Sequence, residues 1–147
     1  MTLRPLLLVE DNRQDEMMIV RALGKVHLAN EIVVARDGQQ ALDYLFRQGE
    51  YANLGDRPLP SVVLLDIGLP RVNGLDVLAQ VRANPTTALL PVVILTSSDE
   101  ERDKLRGYRS GANSFVRKPL EFGEFAETVA SLGVYWTAIN MAPPGGG

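Results

Sequence analysis

Short runs of apolar residues alternate along the chain with longer stretches in which apolar positions recur every three or four residues. The short runs favour strands buried on both faces, at residues 6–9, 31–35, 62–65, 91–95 and 114–116. The longer stretches predict helices at residues 14–25, 39–48, 75–83, 99–110 and 120–140. Strands that alternate with helices in this way predict a parallel sheet covered by helices on both faces.

This pattern favours one α/β architecture. We expect a flavodoxin-like (βα)5 three-layer sandwich, with a five-stranded parallel sheet in the order 2-1-3-4-5. Residues 1–140 are expected to form a single domain, and residues 141–147, which are rich in Pro and Gly, a disordered tail. Residues 49–60 carry two glycines and two prolines, and we expect an ordered surface loop there.

The first helix has an apolar stripe whose members are predicted to face the sheet. Met17, Val20 and Leu23 recur at spacings of three, and Met18 and Ile19 lie beside them. The stripe predicts that this helix packs on the sheet through these side chains.

Composition limits the classes of function open to the protein. The net charge of −3 over 147 residues is mild, and no run of Lys and Arg indicates a nucleic-acid surface. The sequence has no cysteine, which excludes disulfides and thiolate metal sites. The apolar run near the N-terminus is too short for a signal peptide or a membrane span, so we expect a cytoplasmic protein.

Residues with possible site chemistry lie at the ends of four of the five predicted strands, where open α/β sheets keep their binding crevices. They are Glu10 with Asp11, Asp66, Thr96 with Ser97, and Lys118 before Pro119. The carboxyl ends of parallel strands share one edge of the sheet. The sequence therefore predicts a crevice lined by three carboxylates, hydroxyls and one ammonium group.

Carboxylates gathered in this way are costly to keep ionised unless a cation lies among them. Oxygen donors select Mg²⁺ or Mn²⁺ over softer metals. Asp11 and Asp66 are expected to be direct ligands, with the Gly68 carbonyl as a third and Glu10 acting through water. A carboxylate beside Mg²⁺ is also a nucleophile towards phosphorus, and Lys118 and Thr96 would stabilise the phosphoryl oxygens.

Each of these motifs also has a purely structural explanation. Glu10, Asp11 and Asn12 could cap the helix that follows, and residues 96–98 could cap the next one. A Lys-Pro pair often forms a turn, and Phe115 could be a core residue. What favours a functional site is the presence of all these residues in order at successive strand ends.

This ordered set resembles response-regulator receiver domains over about residues 5–138. The resemblance implies that Asp66 is the phosphoacceptor, that Thr96 and Phe115 are the switch residues, and that the peptide before Pro119 is cis. It implies a sensor histidine kinase as partner, Mg²⁺ as cofactor, and no enzymatic activity beyond slow self-dephosphorylation. Gly68 is less usual in this family than a larger side chain.

A finer resemblance concerns residues 36–45, residues 48–51 and the loop that runs to Pro60. These segments are similar to stand-alone regulators paired with bacterial phytochrome kinases, which implies such a kinase as the partner. Since only a short tail follows the last helix, we expect no DNA-binding output. The apolar seam that extends to Trp136 and Ile139 predicts a homodimer through helix four, strand five, helix five and the C-terminal segment.

Two other classes of function remain open from the sequence. One is a binding module of receiver type that acts without phosphorylation. The other is a phosphatase with an aspartyl nucleophile, which would usually carry a second acid at position 68, where this chain has Gly.

Overall fold

The computed structural model describes residues 4–24, 31–55, 57–96, 111 and 114–117. Five strands and three α-helices lie in this part of the chain. The strands are β1 (Leu6–Val9), β2 (Ile32–Ala35), β3 (Val62–Asp66), β4 (Val92–Thr96) and β5 (Ser114–Arg117). The helices are α1 (Arg13–Gly24), α2 (Gly38–Phe46) and α3 (Gly74–Ala83), with a 3₁₀ helix at Gly49–Leu54.

The five strands form one sheet in the order β2-β1-β3-β4-β5, and every neighbouring pair is parallel. This order confirms the predicted flavodoxin-like arrangement. The central strand β3 is buried at all five positions, as its unbroken apolar run predicts.

Alternate residues of each central strand enter different cores, because successive side chains of a strand point to opposite faces. Leu7 and Val9 belong to the core beneath α2 and α3, which also contains Leu42, Val77 and Leu78. The neighbours Leu6 and Leu8 belong to the core beneath α1. Helices therefore cover both faces of the sheet, as predicted.

The prediction that the apolar stripe of α1 faces the sheet is wrong for two of its residues. Met17 is 59% exposed and Val20 is 37% exposed, whereas Ile19 and Leu23 are fully buried in the core beneath α1. Residues 17–20 are all apolar, so their sequence allows several helix faces. Packing against the sheet selects the face that carries Ile19 and Leu23, four residues apart.

The segment between α2 and β3 contains more regular structure than predicted. The 3₁₀ helix Gly49–Leu54 begins after Arg47, which ends α2 in the left-handed conformation with φ of 57°. The rings of Tyr44 and Tyr51 pack edge to face with centroids 5.3 Å apart, and this contact joins the 3₁₀ helix to α2.

Several predictions concern residues outside the described part: the helices at 99–110 and 120–140, the tail at 141–147, and the homodimer through the final helix. Among the described helices, none has both the length and the apolar character that crossing a bilayer requires.

Candidate phosphoryl-acceptor and metal site

Asp66 is the last residue of β3 and lies at the carboxyl edge of the sheet, as predicted. Its side chain is largely buried, with 8% of the residue exposed. Val9 pairs with Leu65 across β1 and β3, and Glu10 therefore follows Val9 at the same edge where Asp66 follows Leu65. The parallel register thus brings residues separated by more than fifty positions into one crevice.

Three carboxylates meet in this crevice. Glu10, Asp11 and Asp66 each offer an oxygen, and these oxygens lie within 4.8 Å of one another. Glu10 is fully buried and Asp11 is exposed, so the cluster extends from the protein interior to solvent. Carboxylates this close repel one another, and a divalent cation relieves that repulsion. The donor set, composed of oxygens alone, fits Mg²⁺ or Mn²⁺.

The start of α1 is capped by Asn12 and not by the acidic pair. The Asp15 N–H donates to Asn12 Oδ1 over 2.9 Å. The Asn12 N–H in turn donates to Glu10 Oε2 over 3.1 Å, which fixes the Glu10 carboxylate beside the strand end. The helix-capping explanation therefore applies to Asn12, and it leaves the carboxylates of Glu10 and Asp11 in the cluster with Asp66.

The loop between β3 and α3 places a backbone donor at Asp66. The Gly68 N–H donates to Asp66 Oδ1 over 3.0 Å. Gly68 is exposed, and a Cβ at this position would lie 3.8 Å from Asp66 Oδ1, an ordinary contact distance. A long side chain at position 68 would therefore begin beside the carboxylate, and glycine keeps this approach open.

Gly74, the first residue of α3, is a site residue that the sequence did not single out. A Cβ there would lie 2.4 Å from the Ile67 Cα and 2.5 Å from the Asp66 carbonyl oxygen. The Gly74 N–H donates to the Ile67 carbonyl over 3.2 Å. Only glycine allows α3 to start this close to the strand that carries Asp66. The only sequence signal was the Asn73-Gly74 pair, which is typical of many turns.

The backbone of β4 and β5 places two more predicted residues near the same edge. Thr96 is the last residue of β4 and pairs with Arg117, which directly precedes Lys118 in the sequence. Phe115 pairs with Ile94 inside the sheet. The side chains of Thr96 and Phe115, together with Ser97, Lys118 and Pro119, lie outside what the structure describes.

Comparison with known proteins identifies related chains over most of the length. Residues 6–130 match the model of the response regulator receiver domain family. The "Probable methanogenesis regulatory protein FilR2" of Methanothrix harundinacea is 40% identical over 94% of this chain and 86% of its own. "Response regulator Rcp1" of Synechocystis is 34% identical over 94% of this chain and 92% of its own.

Three solved structures are also similar. The bacteriophytochrome response regulator AtBRR is 51% identical, with a TM-score of 0.80, over 95% of this chain and 99% of its own. The phosphorylated cyanobacterial phytochrome response regulator RcpA is 34% identical, with a TM-score of 0.80, over 92% of this chain and 94% of its own. The Mn²⁺-bound form of Rcp1 is 32% identical, with a TM-score of 0.79, over 92% of this chain and 95% of its own.

Proposed function

The chain belongs to the family of response regulator receiver domains, and from this membership we propose that it is a single-domain response regulator of a two-component system. It receives a phosphoryl group on Asp66 from a phosphohistidine of a sensor kinase. The observation that carries the proposal is the position of Asp66, at the end of the central strand and within 4.8 Å of two further carboxylates.

The transfer exchanges one bond to phosphorus for another. An Asp66 carboxylate oxygen attacks phosphorus, a P–O bond forms, the P–N bond breaks, and the kinase imidazole leaves with the bonding electrons. Asp11, Asp66 and the Gly68 carbonyl would hold Mg²⁺ or Mn²⁺, with Glu10 acting through water. The bound cation supplies positive charge next to the phosphoryl oxygens. The Mn²⁺-bound form of the relative Rcp1 supports this assignment.

Residues at the ends of β4 and β5 complete the proposed site. Lys118 contributes a positive charge, and Thr96 and Ser97 contribute donors to the phosphoryl oxygens. Movement of Thr96 towards the phosphoryl group frees space that Phe115 then occupies. The charge on Asp66 thereby biases a two-state equilibrium of the face formed by helix four, β5 and helix five.

A bacteriophytochrome is the proposed type of kinase, and the cytoplasm the proposed location. AtBRR and RcpA, which are named as bacteriophytochrome and phytochrome response regulators, support the pairing through their 51% and 34% identity with this chain. The protein releases phosphate slowly by itself, and its output runs through protein contacts without nucleic acid. It forms a homodimer through the segment whose apolar seam reaches Trp136 and Ile139.

Phosphotransfer from a histidine kinase tests the proposal. The wild-type protein should gain one phosphoryl group that hydroxylamine removes, as expected for an acyl phosphate, in the presence of Mg²⁺ and none after EDTA treatment. Asp66→Asn should abolish the transfer, because an amide is not a nucleophile towards phosphorus. Asp76→Asn is the matched control, since Asp76 is an exposed acid on α3, and it should be labelled like the wild type. A labelled Asp66→Asn protein would contradict the assignment.

A further inference from the structure

The loop between β3 and α3 is joined to the junction between β2 and α2 by one side-chain pair. Asp37 Oδ1 accepts a hydrogen bond from the Gln40 N–H over 2.7 Å and so caps α2. Asp37 Oδ2 accepts from Arg71 Nη1 over 3.2 Å. One carboxylate therefore fixes the first turn of α2 and contacts the loop that carries Gly68.

The backbones of the two segments also touch. A Cβ at Gly38 would lie only 1.8 Å from the Val72 carbonyl oxygen, so the start of α2 lies directly against the loop. Arg71 adopts a φ of 68°, a left-handed conformation that a side chain disfavours. Such a conformation persists where surrounding contacts determine it. At Arg71 these contacts are the ion pair with Asp37 and the burial of Ile67 and Leu69, which lie in the same loop, in the core.

We infer that Asp37 and Arg71 are positioning residues for the metal site. Through their ion pair they hold the loop so that the backbone of Gly68 faces Asp66 before the cation arrives. This inference rests on the proposed function, because it concerns the affinity of the same site for Mg²⁺.

The expected change in Mg²⁺ affinity follows from the solvent exposure of the Asp37 and Arg71 side chains. The Arg71 side chain is 62% exposed and that of Asp37 is 16% exposed, so water screens the pair in part. A loop ordered in advance lowers the entropy cost of binding a ligand. Loss of such a pair should raise the Mg²⁺ dissociation constant about twofold to fivefold.

The test compares two ion pairs that both start from the junction between β2 and α2. Arg71→Ala removes the pair with Asp37, whereas Arg36→Ala removes the 3.0 Å pair between Arg36 and Glu16 and serves as the matched control. Calorimetric titration with Mg²⁺ should show the rise in dissociation constant for Arg71→Ala alone. Amide hydrogen exchange without Mg²⁺ should be faster in residues 67–72 of that variant, and Arg71→Lys should restore most of both properties.

Arg71→Gly separates the ion pair from the backbone conformation. Glycine adopts a φ of 68° without strain but cannot pair with Asp37. We expect it to weaken Mg²⁺ binding as Arg71→Ala does. The inference is overturned if Arg71→Gly binds Mg²⁺ with wild-type affinity. It is also overturned if Arg71→Ala and Arg36→Ala have the same Mg²⁺ affinity and the same amide exchange in the loop. Either result leaves the proposed function intact. A wild-type protein that binds no Mg²⁺ would contradict both.

Discussion

Around Asp66, two glycines contribute to the site for different physical reasons. Gly74 is required because a Cβ at this first residue of α3 would lie 2.5 Å from the Asp66 carbonyl oxygen. Gly68 has room for a side chain, since a Cβ there would only touch Asp66 Oδ1 at 3.8 Å. Gly74 therefore shapes the fold at the site, whereas Gly68 controls how openly the carboxylate is reached.

Substituting each glycine by alanine should separate these two roles. Gly74→Ala forces the backbone of Ile67 or α3 to move, and we expect a loss of about 2–3 kcal/mol in the free energy of unfolding. Gly68→Ala should change that free energy by less than about 0.5 kcal/mol. Urea unfolding measures both values. Equal stability of the two variants would contradict the close contact at Gly74.

The secondary-structure elements differ in how far the nearby sequence determines their position and their buried face. The strands are short apolar runs that end at polar residues, and all five begin and end within one residue of their predicted limits. Helix α1 also forms where predicted, but its buried face is chosen by the sheet. Four consecutive apolar residues, 17–20, allow more than one stripe, and only contact with Leu6, Leu8 and their neighbours selects Ile19 and Leu23.

Truncation of two side chains in α1 tests that choice of face. Ile19→Ala should lower the free energy of unfolding by about 2–4 kcal/mol, because it opens a cavity in the core beneath α1. Met17→Ala should change it by less than about 0.5 kcal/mol, because the Met17 side chain is largely in solvent. Chemical denaturation of both variants provides the measurement. A larger loss for Met17→Ala would reverse the assignment of the buried face.

At the scale of the whole molecule, the parallel sheet converts distant sequence positions into one site. Every strand ends at the same edge, so Glu10, which follows β1, lies near Asp66 and Thr96, the last residues of β3 and β4. The pair between Asp37 and Arg71 then ties the second strand–helix junction to the loop beside Asp66. A change of charge at Asp66 thus occurs beside a loop that this pair connects to α2.

The proposed homodimer is also a property of the whole molecule. Light scattering should give a mass that rises with protein concentration from that of one 16.1 kDa chain towards that of two. Trp136→Ala should favour the monomer, because it removes a large apolar side chain from the proposed interface. Met17→Ala, which removes an exposed apolar side chain elsewhere, should leave the mass unchanged. A concentration-independent mass of one chain would contradict the dimer.

The sequence by itself determined where the strands lie along the chain, the edge at which the site lies and the carboxylates gathered there. These features follow from local patterns: an apolar run forms a strand, and the residue after it lies at the end of the sheet. Tertiary structure alone decided the buried face of α1, the choice of Asn12 as cap, the need for Gly74 and the pairing of Asp37 with Arg71. The buried face of α1 and the pairing of Asp37 with Arg71 depend on atoms brought close from distant parts of the chain. The need for Gly74 arises where the loop after β3 returns α3 to Ile67 and Asp66. Asn12 depends instead on which of three adjacent polar side chains the backbone turn directs at the helix.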